Sequence, residues 1–431
     1  MTSTLVVLVG DTIAGAVERS RNGRLTFVYA EDYQARGDRT PLSLSMSPRV
    51  RVHQDAVVTP WLWGLLPDND AVLQRWARRF QVSLASPFGL LASPVGLDCA
   101  GAVAFVEPDG VADHLGRPGT IEWLTEDDVA RRLAELRSDA AAWLGADFAG
   151  RFSLAGAQAK TALFHDGRRW GLPVGRAAST HILKPAIAGL DDHDLNEHVC
   201  LRAAAAAGLP AVRTDVGTIG GLTAVVVERY DRVPHGTSTV RIHQEDACQA
   251  LGVAPSAKYQ ADGGPGPTDV ARLLRGSMPA GPAEAAVRAF ADALVWNWVI
   301  AATDAHAKNY SVLLAGPNVR LAPLYDIASA LPYGLHPRKL TLAMKLGDDY
   351  RLHTQRPSTW TSMARQLRIP ADELVVRARR VVDVAPDAVA EAAASVRDLD
   401  SPLPARLTDA VAERARWCAT TLGGAGRRSG T

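Results

Sequence analysis

The chain has 431 residues, 47% hydrophobic and 22% charged, and its 47 basic and 46 acidic side chains leave a formal net charge of +1. Such a composition is that of an ordinary globular protein; it excludes a wholesale basic coat for nucleic acid, and no apolar run reaches the roughly 18 to 20 residues a membrane span requires. Met1 to Gly10 lacks the features of a secretory leader, and four scattered cysteines (Cys99, Cys200, Cys248, Cys418) suit neither a disulfide framework nor a CxxC metal site, so a cytoplasmic protein with buried thiols is expected.

In chain order, Leu5 to Val9, Gly15 to Glu18 and Leu25 to Tyr29 alternate as strands, with a hairpin signal at Asn22-Gly23. Thr59 to Phe80 has helical spacing broken by Pro67-Asp68-Asn69, and together these make a small sheet with helices over residues 1–110. Asp109 to Gly119 reads as a linker or loop. Thr180 to Lys184 is a short strand, Asp194 to Ala207 a helix ended by Gly208 and Pro210, and Thr223 to Tyr230 a buried strand. Gly263 to Thr268 reads as a mobile Gly/Pro loop, and Ala283 to Ala302 as a core helix, apolar nearly all round. Beyond Pro357 the chain is Ala- and Arg-rich with helical periods, and 423–431 reads as a disordered tail. The arginines Arg377, Arg379, Arg380, Arg414 and Arg416 fit either a solvated helix face or a DNA-facing patch. Lysine is scarce: only six of the basic residues are lysines, all between Lys160 and Lys345.

Chemistry concentrates at Thr303 to Asn309. Protein kinases set a catalytic Asp and a magnesium-holding Asn five residues apart, because one must take the acceptor hydroxyl's proton while the other holds the metal on the phosphates. Asp304 and Asn309 have that spacing, and Asp326 follows a short apolar run as a second metal carboxylate. Upstream, Lys184 ends a strand as a phosphate-binding lysine does, Glu197 lies where an ion pair could orient it, and Val225 to Tyr230 passes from apolar to polar as a hinge to adenine does. Spacing alone leaves turn and cap roles open for Asp304 and Asn309, and a simple flexible loop for Phe152 to Thr161.

Ordered motifs then make the chain recognisable. SLAGAQAKTAL (Ser153 to Leu163), THILKP (Thr180 to Pro185), NEHVC (Asn196 to Cys200), VERYDR (Val227 to Arg232), QEDACQALG (Gln244 to Gly252), TDAHAKNYS (Thr303 to Ser311) and Tyr325-Asp326 resemble those of the HipA family, as do PLSLSM (Pro41 to Met46), LLPD (Leu65 to Asp68) and GAVA (Gly101 to Ala104) nearer the start. The resemblance implies an α+β, protein-kinase-like two-lobed fold with a small N-terminal sheet subdomain (1–110), a kinase N-lobe-like part (111–240) with phosphate loop 153–161 and hinge 228–230, and a helical C-terminal lobe (241–431) with catalytic loop 303–309. It further implies a bacterial serine/threonine kinase toxin using ATP and Mg2+, neutralised by a HipB-like helix-turn-helix antitoxin that binds operator DNA with it, and acting on an aminoacyl-tRNA synthetase. A catalytically idle corepressor subunit on antitoxin-bound DNA is the alternative.

Carried over by residue, the resemblance makes Asp304 the catalytic base and Asn309 and Asp326 the metal ligands. Lys184 contacts the ATP phosphates, and Ala155, Gly156, Ala157, Gln158, Ala159 and Lys160 form the phosphate loop. The backbone of Glu228, Arg229 and Tyr230 binds adenine, and His306, Ala307, Lys308 and Tyr325 line the nucleotide site. Ser153 matches a serine that family members autophosphorylate, expelling the loop and inactivating the kinase. Ala159 stands where the family often has glutamate.

Overall fold

The computed structural model describes residues 3–145, 152–236, 238–335 and 337–422; the expectation for 423–431 lies outside them. Contacts divide the chain into two compact units. One comprises Met1–Asp194, Asp215–Lys258 and Tyr310–Ala322, the other Leu195–Thr214, Tyr259–Asn309 and Pro323–Thr431.

The first unit opens with a five-stranded antiparallel sheet of β1 (Ser3–Val9), β2 (Thr12–Arg19), β3 (Leu25–Tyr29), β4 (Val52–His53) and β5 (Val103–Val106), ordered β4-β3-β2-β1-β5. Alternation puts Leu5, Val7, Val17, Phe27 and Tyr29 on one face, where Trp61 of the helix Asp55–Gly64 and Trp76 of the helix Asp70–Phe80 cover them. The Pro67-Asp68-Asn69 break falls between those helices, and the Asn69 side chain caps the second by accepting from the Ala71 and Val72 N–H groups.

A second sheet runs β10-β11-β9-β7-β8-β6, from β6 (Thr120–Trp123), β7 (Thr161–His165), β8 (Trp170–Val174), β9 (His181–Pro185), β10 (Thr214–Ile219) and β11 (Leu222–Glu228). Val129 and Leu133 of the helix Glu126–Ser138 pack on its Leu163, Leu172, Leu183 and Ala224. The hairpin of β12 (Arg232–His235) and β13 (Ser238–Arg241) comes next, then a three-stranded sheet of β14 (His243–Asp246), β15 (Ser311–Ala315) and β16 (Asn318–Leu321).

Two loop expectations are corrected. Residues 109–119 contain the helix Val111–Gly116, because Val111 to Leu115 are helix-compatible residues between Gly110 and Gly116. Within 263–268, Pro267 is already the first residue of the helix Pro267–Ser277, where its fixed φ suits the opening turn and its missing N–H costs nothing.

Charged groups hold the first unit together internally. Asp98 and Asp231, both buried, lie among Arg229, Arg232 and Arg241: Asp98 is 2.9 Å from Arg232 and 3.3 Å from Arg241, and Asp231 is 2.9 Å from Arg229. Those guanidinium groups outweigh burial and hold the Asp98 carboxyl down at about 2. PLSLSM meets QEDACQALG in the same unit: Glu245 accepts the Leu44 N–H at 2.7 Å, and the Gln249 carbonyl accepts the Ser45 hydroxyl at 3.0 Å.

The second unit is helical, built from His193–Ala206, Pro267–Ser277, Ala280–Val299, Pro357–Leu367, Ala371–Ala394 and Leu403–Thr421, with one hairpin of β17 (Thr341–Leu346) and β18 (Asp349–Arg351). Ala280–Val299 is its central helix, with Phe290, Trp296 and Trp298 fully buried. The solvated-face reading is corrected in part: Arg414 is buried, whereas Arg380 and Arg416 are exposed. Arg377 and Arg380 reach Asp292 of the central helix at 2.7 and 3.1 Å, Arg379 donates to the Leu422 carbonyl, and buried Arg414 donates to the Trp298 carbonyl at 2.8 Å. Only Arg416 of the five is neither buried nor tied to such a partner in the described structure. All four cysteines are free and buried, as their scatter predicts.

Candidate active site

The catalytic-loop candidates lie together in the second unit. The central helix stops where Ala301 takes a left-handed φ of +54° and the Ala302 N–H returns to the Asn297 carbonyl. The chain then turns through Asp304, whose carbonyl accepts the His306 N–H at 2.8 Å, into the 3-10 turn Ala307–Asn309. Ala305, His306, Ala307, Lys308 and Asn309 are buried, whereas Asp304 is exposed. A carboxylate at the head of a buried, hydrogen-bonded turn is accessible yet fixed in direction.

Tyr325 and Asp326 are placed by neighbours. The Leu324 N–H donates to the Pro210 carbonyl at 2.7 Å and its carbonyl accepts from Val212, while the Tyr325 hydroxyl donates to the Lys308 carbonyl at 2.6 Å. Just beyond, Asn196 of NEHVC brackets Ser329, accepting its N–H at 2.9 Å and donating to its carbonyl at 2.8 Å, and the Ser329 hydroxyl donates to the Ile300 carbonyl. Asp326 itself has φ +56°, a conformation L residues adopt at a cost and which clusters at functional sites.

Asn309 and Asp326 fit a hard divalent cation. The Asn309 amide nitrogen is 3.2 Å from the Asp326 carbonyl and 3.5 Å from its carboxylate, and its Oδ1 is buried with no hydrogen-bond partner. A buried orphan acceptor beside a carboxylate is a pair of oxygen donors of the kind magnesium takes. Among the described residues no cluster of three or more His, Cys, Asp or Glu could hold a metal, so the other ligands of such an ion would be phosphate and water oxygens.

Sequence reasoning missed Tyr259. Its hydroxyl donates to Asp304 Oδ1 at 2.6 Å, and its ring meets the His306 ring edge-on with centroids 5.0 Å apart. No spacing rule links a tyrosine to an aspartate 45 positions downstream.

The other candidates belong to the first unit. LLPD and SLAGAQAKTAL meet there: the Leu65 carbonyl accepts the Ser153 hydroxyl at 2.8 Å, the Asp68 N–H donates to the Gly156 carbonyl at 3.0 Å, and the Asn69 amide donates to the Ala157 carbonyl. Gly156 has φ +103°, open to glycine alone without strain. Ala159 packs partly buried against the unit's core, and Gln158 reaches the Pro185 carbonyl. Backbone bonds and apolar packing thus anchor the loop where the family often has an acidic side chain.

Three candidates sit differently from expectation. Lys160 is buried in this conformation, its ammonium donating to the Ala155 carbonyl at 2.7 Å and lying 4.9 Å from the Trp143 ring centroid, because a desolvated ammonium needs acceptors within the fold. Arg229 is engaged inward: its N–H donates to the Thr180 carbonyl, its carbonyl accepts from Arg232, and its guanidinium joins the Asp98–Asp231 network. On either side of it, Glu228 pairs with His181 of β9 and the Tyr230 hydroxyl donates to the Gln244 side chain at 2.6 Å. Ser153 has no exposed surface, and its N–H donates to the Asp98 carbonyl at 2.9 Å. Lys184 is buried in β9 opposite Val225 of β11.

Comparison with known proteins bears on the whole chain. The family model described as "HipA-like C-terminal domain" matches residues 152–392 and the "HipA N-terminal domain" matches residues 5–106. "Putative kinase Y4mE" of Sinorhizobium fredii is 35% identical over 94% of this chain and 96% of its own. "Serine/threonine-protein kinase toxin HipA" of Shewanella oneidensis is 29% identical over 93% of this chain and 91% of its own. The solved Shewanella oneidensis HipA, in complex with HipB and operator DNA, superposes with a TM-score of 0.83 at 25% identity, covering 97% of each chain. With the motifs at both ends of the chain accounted for by the same two models, and its relatives matched along nearly their full length, the chain belongs to the HipA family.

Proposed function

We propose that the protein is a Mg2+- and ATP-dependent serine/threonine kinase acting as the toxin of a toxin–antitoxin pair. The observation that carries this reading is the second unit's constellation: an exposed Asp304, and five residues on a buried Asn309 whose amide nitrogen lies 3.5 Å from the Asp326 carboxylate and whose oxygen has no partner. The names of the relatives, kinases all, support it.

In this reading Asp304 accepts the proton of a serine or threonine hydroxyl as that oxygen bonds to the γ-phosphorus and the bond to the β-phosphate oxygen breaks, releasing ADP. Asn309 and Asp326 hold magnesium, which when bound neutralises phosphate charge. Lys184 supplies a point charge to the phosphates, Gly156 and its neighbours offer backbone to them, and Glu228 and Tyr230 serve adenine. Residues 1–110, 111–240 and 241–431 then take the parts of N-terminal subdomain, N-lobe-like part and helical lobe.

The finer parts of the proposal are an aminoacyl-tRNA synthetase as target, inactivating autophosphorylation at Ser153, and neutralisation by a HipB-like antitoxin on operator DNA. The solved HipA complex with HipB and its operator supports the last of these. The test is incubation of purified protein with γ-labelled ATP and Mg2+ in a bacterial lysate, alongside Asp304→Asn. Label on the protein or on a lysate protein, lost in the variant, is the expected result; no label with wild type sinks the kinase reading and leaves the idle corepressor.

A further inference from the structure

The hydrogen bond between Tyr259 and Asp304 goes beyond the kinase reading while resting on it. A base that must take a proton from an alcohol needs one carboxylate oxygen aimed at that alcohol and the other prevented from swinging into its place. The Tyr259 phenol donates to Oδ1 of Asp304 at 2.6 Å, the distance of a charge-assisted O–H···O⁻ bond. Since Asp304 is exposed, water would otherwise compete for both oxygens.

Tyr259 is itself held on three sides. Its ring stands edge-on to buried His306, at 78° and 5.0 Å, so the loop that carries Asp304 also orients its partner. Its carbonyl accepts the N–H groups of Asp262 and Gly264, both at 3.0 Å, closing a tight turn. The next residue, Gln260, accepts the Lys345 N–H of β17 at 2.8 Å through its side chain. A tyrosine fixed by its ring, its own carbonyl and its neighbour's amide is a fixed brace.

We propose that Tyr259 is a positioning residue for the phosphotransfer: its hydroxyl occupies Oδ1 of Asp304 and leaves Oδ2 as the oxygen that meets the acceptor hydroxyl. Substrate and ATP binding do not depend on it.

The test compares wild type, Tyr259→Phe, which keeps the ring against His306 and deletes only the donor, and Tyr259→Ala, which removes both. Rates of transfer from γ-labelled ATP to a phosphorylated lysate protein or to the protein itself are measured over a range of ATP concentrations, so that kcat and KM are separated. Tyr259→Phe is expected to lower kcat roughly three- to tenfold with KM for ATP unchanged, the split of a group that orients the base without binding the nucleotide. Tyr259→Ala is expected to lower kcat further. A kcat of Tyr259→Phe equal to wild type, or a loss that lies in KM for ATP, overturns the brace, as does a Tyr259→Phe that is faster than wild type, which would make the phenol an occluding group. A wild type that transfers no phosphate at all sinks the kinase reading and the brace with it, a result distinct from an active wild type matched by its variant.

Discussion

Asn309 turns its amide nitrogen toward Asp326, 3.2 Å from the carbonyl, and thereby leaves its own buried oxygen without a partner. That orientation predicts that Asn309→Ala and Asp326→Asn bind Mg2+ weaker by at least on the order of 100-fold, since even outer-sphere partners of metal ligands cost 10- to 100-fold. Magnesium titration of phosphotransfer checks it. Full activity of either variant at low Mg2+ shows the metal assignment to be wrong.

Ser153 cannot receive phosphate where it lies, with its hydroxyl on the Leu65 carbonyl, its N–H on the Asp98 carbonyl and no exposed surface. Its phosphorylation therefore requires the segment to leave its seat, and a phosphate of about −1.5 to −2 charges cannot return to a site whose acceptor is a backbone carbonyl. Phosphorylated protein is expected to be cleaved faster by protease within 153–160 than unmodified protein. Ser153→Ala should cost only about 1 kcal/mol in denaturant unfolding. Mass spectrometry that finds the phosphate elsewhere disposes of this route.

Asp98 serves three arginines, a buried serine and a backbone amide at once. Asp98→Ala leaves Asp231 to face Arg229 and Arg232 alone and takes from Arg241 its carboxylate partner, and a loss of roughly 3–5 kcal/mol is expected from urea unfolding at neutral pH. With the folded carboxyl held at about 2, below its unfolded value, the contribution is present above the unfolded pKa and lost only as pH falls through the folded one. The difference between wild type and variant should accordingly be flat from pH 5 to 8.

Glu245 has the opposite sign. Burial pushes its carboxyl up to about 8, with Oε1 on the Leu44 N–H and Oε2 without a partner. The unfolded chain ionises this group near the ordinary value of 4.5, so folding takes up a proton between those limits. Stability from this group is full below the unfolded pKa and is lost as pH rises through about 8. Glu245→Gln, which keeps an acceptor for Leu44, should flatten the fall in Tm between pH 5 and 8; an unchanged slope would show that Glu245 is not its source.

Local chemistry was legible where chain neighbours act on each other. The Asn22-Gly23 hairpin, the helix break at Pro67 to Asn69 and the apolar central helix follow from spacing and caps. Family motifs drew attention to Leu65, Asn196 and Glu245, yet their partners, Ser153, Ser329 and Leu44, are 88, 133 and 201 residues away, and no periodicity encodes such distances. Tyr259 carries no motif at all. The arginines misled because helical spacing shows which face a residue occupies and is silent on whether another helix offers Asp292 to that face.

The joins between PLSLSM and QEDACQALG, and between Asp98 and Arg232, tie the opening residues to later ones in the same unit. A chain shortened to begin near residue 111 would strip Glu245, Gln249, Arg229, Arg232 and Arg241 of the partners they have among residues 42 to 101. The opening hundred residues are consequently not a detachable cassette: removing them leaves buried charge uncovered at the centre of the unit they share with residues 215–258.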